Sequence, residues 1–320
     1  MSKKGLKGLM FVILSSFLWA VTGIISKALF NEGGTPILMI FTRNMVGVFC
    51  LALFFCFYNR KLFRLDKAYL KPLILCSVFL FIYSASYFFS IYYLDVSVAM
   101  VLLYMYPTIV AVSSVFVFKE RLTVKIIAAL LLTACGMVLT LNLLSRGIGE
   151  VSSLGLLLSF SSAFGAAWYS IYVKKLSVAY HATTINFYGL LLTVFGYGIL
   201  ALFSLKNGFL STPELAGSVA MAFPYVGGLL LFAIGVTYLS PSFASIFGST
   251  EPVFGTVMAV IFLGDVISVS QIAGIALVFS AIIILQLPFK RKRLDKEKEE
   301  EEEERTKNTP CECPNTIHGV

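Results

Sequence analysis

Ten apolar segments occupy almost the whole of the first 289 residues, and short polar or glycine- and proline-rich breaks separate them. A helix that crosses the hydrocarbon core of a membrane, about 30 Å thick, needs about 20 apolar residues. Each segment meets that length, so the pattern predicts an all-α integral membrane protein with ten transmembrane helices. The predicted spans are residues 8–30, 36–58, 72–93, 96–118, 124–144, 152–173, 183–204, 217–239, 241–264 and 269–288.

The composition excludes the usual classes of soluble protein. Hydrophobic residues make up 58% of the chain and charged residues 13%, whereas soluble domains carry about 45–50% and about 25%. The two histidines and six cysteines form no convincing metal-binding spacing, and there is no glycine-rich phosphate loop. We therefore expect no enzyme activity, no metal site, no cofactor and no nucleic-acid partner.

Lys and Arg are distributed unevenly between the two sides of the predicted bundle. If the N-terminus is cytoplasmic, 21 of the 25 Lys and Arg residues lie on the cytoplasmic side, and the outer loops hold only Arg146 and Lys206. The positive-inside rule then places both termini in the cytoplasm and the protein in the cytoplasmic membrane. The first apolar run has no convincing signal-peptidase site, so we expect it to be retained as the first span.

The second half of the chain repeats the first half. A shift of 145 residues aligns Tyr93, Leu94, Ser97, Ala99, Pro107, Glu120 and Thr123 with Tyr238, Leu239, Ser242, Ala244, Pro252, Asp265 and Ser268. A shift of 147 aligns Gly8, Ser15, Ala20 and Lys27 with Gly155, Ser162, Ala167 and Lys174. The sequence therefore predicts two five-helix repeats, residues 1–144 and 145–289, which are inverted in the membrane because five is odd. Residues 290–320 form a predicted charged, disordered cytoplasmic tail.

Inverted repeats are typical of secondary transporters, because the two copies can exchange conformations and expose one central site to either side in turn. A channel can share the duplication, but the architecture favours a carrier that works by alternating access. We expect a small-molecule substrate and contact with membrane lipid, and protons are a candidate coupling partner. The sequence leaves the oligomeric state open.

Several short stretches are more specific than the spans that contain them. They are Leu18-Trp19-Ala20, Phe41-Thr42-Arg43, Tyr106-Pro107 and Phe118 to Thr123 in the first half, and Thr250 to Val253 with Leu263-Gly264-Asp265 in the second. Over residues 8 to 288 the chain resembles the drug/metabolite transporter superfamily, in particular its EamA-like ten-span members. It departs from the common pattern at Asp265, where Glu is usual, and at Ala166, where an aromatic residue is common.

The resemblance implies proton- or gradient-coupled movement of a small metabolite, often the export of an amino acid or a derivative. Two alternatives stay open. The first is an importer or exchanger of phosphorylated or nucleotide-linked metabolites, which would need more than one buried cation. The second is a non-transporting membrane protein that serves as an assembly or sensor subunit.

Two charged residues are predicted to lie inside the membrane. Glu251 comes about ten residues into the ninth span, about 15 Å from its start and so near the midplane. A carboxylate there is costly unless it is paired or protonated, so proton binding, substrate-amine binding and a structural ion pair with Arg43 are all open. Arg43, inside the second span, is also a candidate for holding a substrate carboxylate through two parallel hydrogen bonds.

Prolines and aromatic residues complete the predicted site. Pro252 directly follows Glu251, and Pro107 takes the equivalent place after Tyr106. A proline frees a carbonyl one turn back, which suits the wall of a central cavity. The aromatic candidates for lining that cavity are Trp19, Tyr83, Tyr87, Tyr104, Tyr106, Trp168 and Tyr188. Two further expectations concern helix ends. Pro224, with Gly227 and Gly228, is expected to break the eighth span. Glu120 and Asp265, which could also act as gates, are expected to cap the helices that follow them together with the nearby Thr123 and Ser268.

Overall fold

A computed structural model describes residues 3–31, 36–91, 93–94, 96–141, 152–204, 210–264 and 266–286. The regular secondary structure in these ranges is helical, and they contain no strand. Eight segments are long and apolar enough to cross a membrane, and two shorter apolar helices, Val124–Thr140 and Val269–Leu285, bring the total in the described ranges to ten. The predicted all-α fold with ten helical spans is confirmed, while the inverted arrangement of the repeats stays a prediction. The predicted tail lies outside the described residues.

The helices have the following names and bounds. α1 is Lys3–Asn31, α2 is Pro36–Tyr58, α3 is Lys67–Ser90, α4 is Val96–Leu103, α5 is Tyr106–Phe118 and α6 is Val124–Thr140. α7 is Ser153–Leu176, α8 is Ala182–Ser204, α9 is Thr212–Tyr238, α10 is Pro241–Gly248, α11 is Glu251–Leu263 and α12 is Val269–Gln286. A short 3-10 helix, Arg60–Phe63, lies between α2 and α3.

The predicted spans 96–118 and 241–264 are each broken into two helices, α4 with α5 and α10 with α11. Met105 and Thr250 precede α5 and α11 and take nearly the same backbone conformation, with φ, ψ of −73°, −11° and −76°, −12°. Hydropathy indicates continuous spans here because apolar residues flank both breaks. It carries no information about where the backbone hydrogen bonds are interrupted.

Proline accounts for the interruption. Pro107 and Pro252 lie at the N-terminal ends of α5 and α11. Because proline has no N–H, the carbonyl four residues earlier loses its helical donor, and in the second half that carbonyl belongs to Gly248. The Ser16 hydroxyl of α1 donates to this carbonyl instead, over 3.1 Å. The break in the ninth span is therefore stabilised by a helix from the other half of the chain.

Caps extend two helices beyond the apolar segments that predicted them. α3 begins at Lys67 rather than at residue 72, because the Asp66 carboxylate accepts a hydrogen bond from the Ala68 N–H over 3.0 Å. α9 begins at Thr212 rather than at residue 217, because Ser211 and Glu214 form a capping box. α9 also runs without interruption through Pro224, so the expected break of the eighth span is wrong.

The expected cap of α6 comes from Thr123 and not from Glu120. The Thr123 hydroxyl accepts a hydrogen bond from the Ile126 N–H over 3.4 Å. The Glu120 carboxylate accepts a hydrogen bond from the Ser242 hydroxyl over 2.7 Å, which joins the loop after α5 to the start of α10. The sequence could not indicate this contact, because the two residues belong to different halves of the chain.

The helix bounds recur at the repeat shift. α4, α5 and α6 each begin 145 residues before α10, α11 and α12. The residues that end α5 and α11, Lys119 and Gly264, both lie in the left-handed region, with φ of 55° and 69°. The backbone thus agrees with the duplication that the side-chain matches predict.

Equivalent helices from the two halves pack in exchanged pairs. α1 lies against α9, its counterpart α7 lies against α3, and α5 of the first half contacts α10 of the second. The glycines that allow close approach also correspond, Gly8 with Tyr238 and Leu239 in one pair and Gly155 with Tyr93 and Leu94 in the other. This exchange brings the two broken spans together between the halves.

Candidate functional site

Glu251 is the first residue of α11 and directly follows the break in its span. Its side chain is half-buried, while its neighbours Ser249, Thr250 and Pro252 are buried. The carboxyl group also lies in the first turn of a helix, where the partial positive charge of the N-terminus stabilises an anion. The broken span therefore carries an acidic group at the point where its backbone is interrupted.

Four tyrosines lie around the Glu251 carboxyl. Tyr104, from the two residues that separate α4 from α5, lies within hydrogen-bonding range of it. Tyr83, Tyr87 and Tyr106 lie within electrostatic range. Phenol hydroxyls can orient a polar group, and aromatic faces attract cations. The structure thus brings five of the predicted site residues into one region.

Tyr106 also joins the two halves of the protein. Its hydroxyl donates a hydrogen bond to the Ser245 carbonyl of α10 over 2.9 Å. Gly248 makes room for that hydroxyl, because a β-carbon at this glycine would lie 2.6 Å from the Tyr106 oxygen. The ring centroids of Tyr104 and Tyr106 are 6.2 Å apart, so the aromatic group continues from the junction toward Glu251.

Small residues of α7 complete this region. Ala163, Ala166 and Ala167 are buried in one apolar cluster that includes Tyr104 and Tyr106. Ala166 is the position at which the resemblance leads one to expect an aromatic residue. An aromatic ring here would need more room beside the tyrosines than alanine does.

Arg43 of α2 is buried, with 8% of its surface exposed. Its guanidinium lies over the ring of Tyr225, 3.6 Å from the centroid, and its Nε donates to the Asn44 side-chain oxygen over 3.3 Å. The Asn44 amide in turn donates to the Thr193 hydroxyl over 3.2 Å. The aromatic face and the hydrogen bond together hold the guanidinium plane in one orientation.

Arg43 and Glu251 do not neutralise each other in this conformation. Among the described residues no ion pair joins them, and the Arg43 guanidinium packs on Tyr225 instead. Tyr83 lies within electrostatic range of both Glu251 and Tyr225, and Tyr225 lies within range of Arg43. The structural ion pair, one of the alternatives that the sequence left open, is therefore not formed in this conformation. The Glu251 carboxyl and the Arg43 guanidinium lie near different tyrosines, Tyr83 and Tyr225, which are themselves close to each other.

Comparison with known proteins adds an independent line of evidence. The EamA-like transporter family matches residues 6–142 and 153–287, nearly the whole helical body. The chain belongs to the EamA-like transporter family. The resemblance drawn from the short sequence stretches is thereby confirmed, and membrane transport is the general activity of this chain.

Two curated relatives of this EamA-like protein are transporters by name. The uncharacterized inner membrane transporter YicL of Salmonella typhimurium is 24% identical over 296 residues, which cover 89% of this chain and 97% of the relative. An uncharacterized transporter of Archaeoglobus fulgidus is 28% identical over 279 residues, 85% of this chain and 94% of the relative. A solved crystal structure matches with a TM-score of 0.75 at 17% identity, covering 87% of this chain and 96% of that chain. This last likeness concerns the fold alone.

Two of the aromatic residues predicted for the site have their main contacts elsewhere in this EamA-like fold. Trp168 stacks with Phe79 of α3, with ring centroids 5.9 Å apart, and belongs to an aromatic group with Phe164 and Tyr172. The Tyr188 hydroxyl donates to the Phe63 carbonyl over 2.9 Å. This bond holds the short 3-10 helix after α2. The ring contacts of Trp168 and the hydrogen bond of Tyr188 join these side chains to parts of the fold outside the tyrosine group around Glu251.

Trp19 lies at the edge of the site. Its indole packs against Gly228 of α9, and its ring centroid is 5.5 Å from that of Phe232. Its indole nitrogen faces Gly228, and the buried N–H groups of Trp19 and Trp168 have no hydrogen-bond partner among the described residues. Sequence analysis missed Tyr225, because a tyrosine in the middle of an apolar helix gives no signal until the guanidinium is seen to lie over its ring.

Proposed function

We propose that this EamA-like chain is a secondary carrier that exports a small zwitterionic metabolite of the amino-acid type by alternating access, coupled to protons. One observation carries the proposal. The carboxyl group of Glu251 and the guanidinium of Arg43 are both directed into the protein interior, and tyrosines rather than an ion pair separate them. A zwitterion presents the complementary pair of charges.

Glu251 is the group that binds a cation in this proposal. A carboxylate inside a membrane protein is costly without a partner, so the site favours either the ammonium group of a substrate or a proton. The surrounding tyrosines suit the same ammonium group, because their aromatic faces and hydroxyls both attract it. Exchange of a proton for the substrate amine at one carboxyl group would couple transport to the proton gradient.

Arg43 is the group that binds an anion in this proposal. A guanidinium held flat against an aromatic ring can donate two parallel hydrogen bonds to a carboxylate, a geometry that lysine cannot reproduce. The Asn44 side chain accepts a hydrogen bond from the Arg43 Nε and is itself held by a hydrogen bond to Thr193.

The proposed orientation rests on the distribution of charge in the sequence, and the proposed direction rests on the family resemblance. The excess of Lys and Arg in alternate loops supports a multi-pass protein of the cell membrane with both termini in the cytoplasm. YicL, the relative described as an inner membrane transporter, agrees with that location. Export rather than uptake is preferred because the resembling family often exports amino acids or their derivatives.

The proposal is tested with purified protein in proteoliposomes under an imposed pH gradient. A panel of amino acids is compared with amines that lack the carboxylate, acids that lack the amine, and phosphorylated sugars. We expect uptake of zwitterions alone. Glu251→Gln should lower the initial rate by about tenfold to a hundredfold and remove its pH dependence, since a lost charge-assisted contact is worth that much.

The matched control is Glu214→Gln. Glu214 is also an acid in the first turn of a helix, but it belongs to the capping box of α9, a role that glutamine can fill. The Glu214→Gln variant should transport at the same rate as the parent protein. Normal transport and unchanged pH dependence in Glu251→Gln would remove the role given to Glu251, and transport of phosphorylated sugars alone would favour the importer or exchanger.

A further inference from the structure

The two ends of the helical bundle differ in how tightly their equivalent half-helices are packed. Seven of the eight residues of α10 are buried. Val96, at the start of α4, is 52% exposed, whereas its counterpart Pro241 is buried. The same contrast holds for three further pairs, half-buried Met100, Val101 and Leu102 against fully buried Ser245, Ile246 and Phe247. The α10 end of the bundle is therefore the more tightly packed of the two, and we call it the closed end.

α1 and α7 show the same contrast. Ser170 of α7 is 1% exposed, while its counterpart at a shift of 147, Gly23, is exposed and has no atom within 4 Å of the position of an added β-carbon. Ile171 is completely buried, and its counterpart Ile24 is half-buried. In the proposed topology the closed end is the cytoplasmic end.

A set of polar contacts lies at the closed end. The Lys174 ammonium donates to the carbonyls of Val236 and Leu239 over 2.7 and 2.9 Å. These carbonyls end α9 and have no helical donor, and a cation at a helix C-terminus is favourable. Glu120, which accepts the hydrogen bond from Ser242, lies within electrostatic range of the same ammonium. The Lys174 bonds join α7 to the end of α9, and the Ser242 bond joins α10 to the loop after α5 beside them.

Each member of this set is duplicated in the sequence with its chemistry preserved. The two repeat shifts pair Lys174 with Lys27, Glu120 with Asp265 and Ser242 with Ser97. The side chains of these counterparts lie outside the described part of the structure. A set that served only to hold one end together would not need a matching set of residue types in the inverted copy.

We propose that Lys174, Glu120 and Ser242 form a latch that closes the cytoplasmic end of the protein in this conformation and must open in each transport cycle. The inference rests on the proposed alternating-access function. Opening the cytoplasmic end separates α7 from the end of α9, so the Lys174 contacts to the α9 carbonyls exist in one state only. Loss of those contacts should shift the population toward the state that is open to the cytoplasm.

The experiment measures access to each end without substrate. After replacement of the six native cysteines, Ser170→Cys reports on the cytoplasmic end and Gly23→Cys on the opposite end. A membrane-impermeant maleimide should modify the reporter at 23 quickly and the reporter at 170 slowly. Lys174→Met should raise the rate at 170 by about tenfold or more and lower the rate at 23, because hydrogen bonds to a charged group are strong enough for that shift.

Lys175→Met is the matched control. Lys175 is the next residue of α7, is exposed, and lies over the Tyr172 ring at 5.4 Å, outside the latch. It should leave both rates unchanged, while Glu120→Gln should act like Lys174→Met with a smaller amplitude. Unchanged rates in Lys174→Met would overturn the proposal. A rise at both reporters would also overturn it, because that result indicates general loosening of the helices.

Hydrogen exchange provides a second measurement in the protein with its native cysteines. Lys174→Met should speed amide exchange in residues 235–248, which include the end of α9 and all of α10, and leave α2 unchanged. Unchanged exchange in 235–248 would contradict the latch. None of these measurements requires transport, so failure of the latch is distinguishable from failure of the carrier: a parent protein that transports nothing refutes the carrier alone.

Discussion

The break between α4 and α5 and the break between α10 and α11 have the same backbone and different side chains. Met105 and Thr250 differ by only a few degrees in φ and ψ, and a proline follows each of them by two residues. At the first position after the break, however, the first half has Tyr106 and the second has Glu251. The two breaks are therefore equivalent backbone frames that carry different side chains.

The first frame holds the two halves together, and the second carries a charge. Tyr106 donates to the carbonyl of Ser245, which belongs to the opposite half. Glu251 lies among hydroxyls and aromatic rings near the same junction. If Glu251 binds substrate as proposed, the same backbone serves structure in one copy and binding in the other. Substitutions that give one copy the residue of the other should show which side-chain differences affect stability and which affect transport.

Gly248 should give the largest effect, because its counterpart in the first half is Leu103. Gly248→Leu places a branched side chain where the Tyr106 oxygen lies 2.6 Å from the β-carbon position. Overpacking of this kind should lower the free energy of unfolding by about 3 kcal/mol, and Tyr106 should lose its contact with Ser245. The measurement is the midpoint of denaturant unfolding in mixed micelles.

Gly255→Ala is the control for Gly248→Leu, since nothing lies within 4 Å of its β-carbon position in α11. It should raise the free energy of unfolding by about 0.5–1 kcal/mol, because alanine loses less conformational freedom in a helix. An equal loss of stability in both variants would contradict the idea that Gly248 makes room for Tyr106.

Tyr106→Phe and Tyr104→Phe should separate structure from binding. Tyr106→Phe removes the bond to the Ser245 carbonyl and should lower the free energy of unfolding by about 1 kcal/mol. The loss stays small because that carbonyl also accepts from the Ser249 N–H. Tyr104→Phe, which affects a hydroxyl near Glu251, should leave stability almost unchanged and raise the KM for substrate. Thermal unfolding and transport kinetics measured on both variants test this. A loss of stability in Tyr104→Phe with a raised KM in Tyr106→Phe would assign structure to Tyr104 and binding to Tyr106.

The sequence alone predicted the spans better than it predicted their contacts. Ten apolar segments, Pro107 and Pro252 were visible because hydropathy and proline chemistry are local properties. The partner of Glu120 and the neighbours of Trp168 were not visible, because they depend on which helix face meets which neighbour. Arg43 was found as an intramembrane cation, yet its position on Tyr225 arises from packing between α2 and α9, which no periodicity specifies.

Lys119 and Gly264 should give the smallest effect. Both end a broken span in the left-handed region, with φ of 55° and 69°, and the N–H of each donates to a carbonyl five residues earlier, Ser114 and Ala259. Glycine adopts this conformation without strain, whereas a side chain costs about 1 kcal/mol there. Lys119→Gly should therefore raise the free energy of unfolding by up to about 1 kcal/mol, and Gly264→Lys should lower it by a similar amount. The measurement is the change in unfolding midpoint relative to the parent protein. Changes of opposite sign in the two variants would show that the two helix ends are equivalent, and changes of the same sign would show that the repeat does not extend to them.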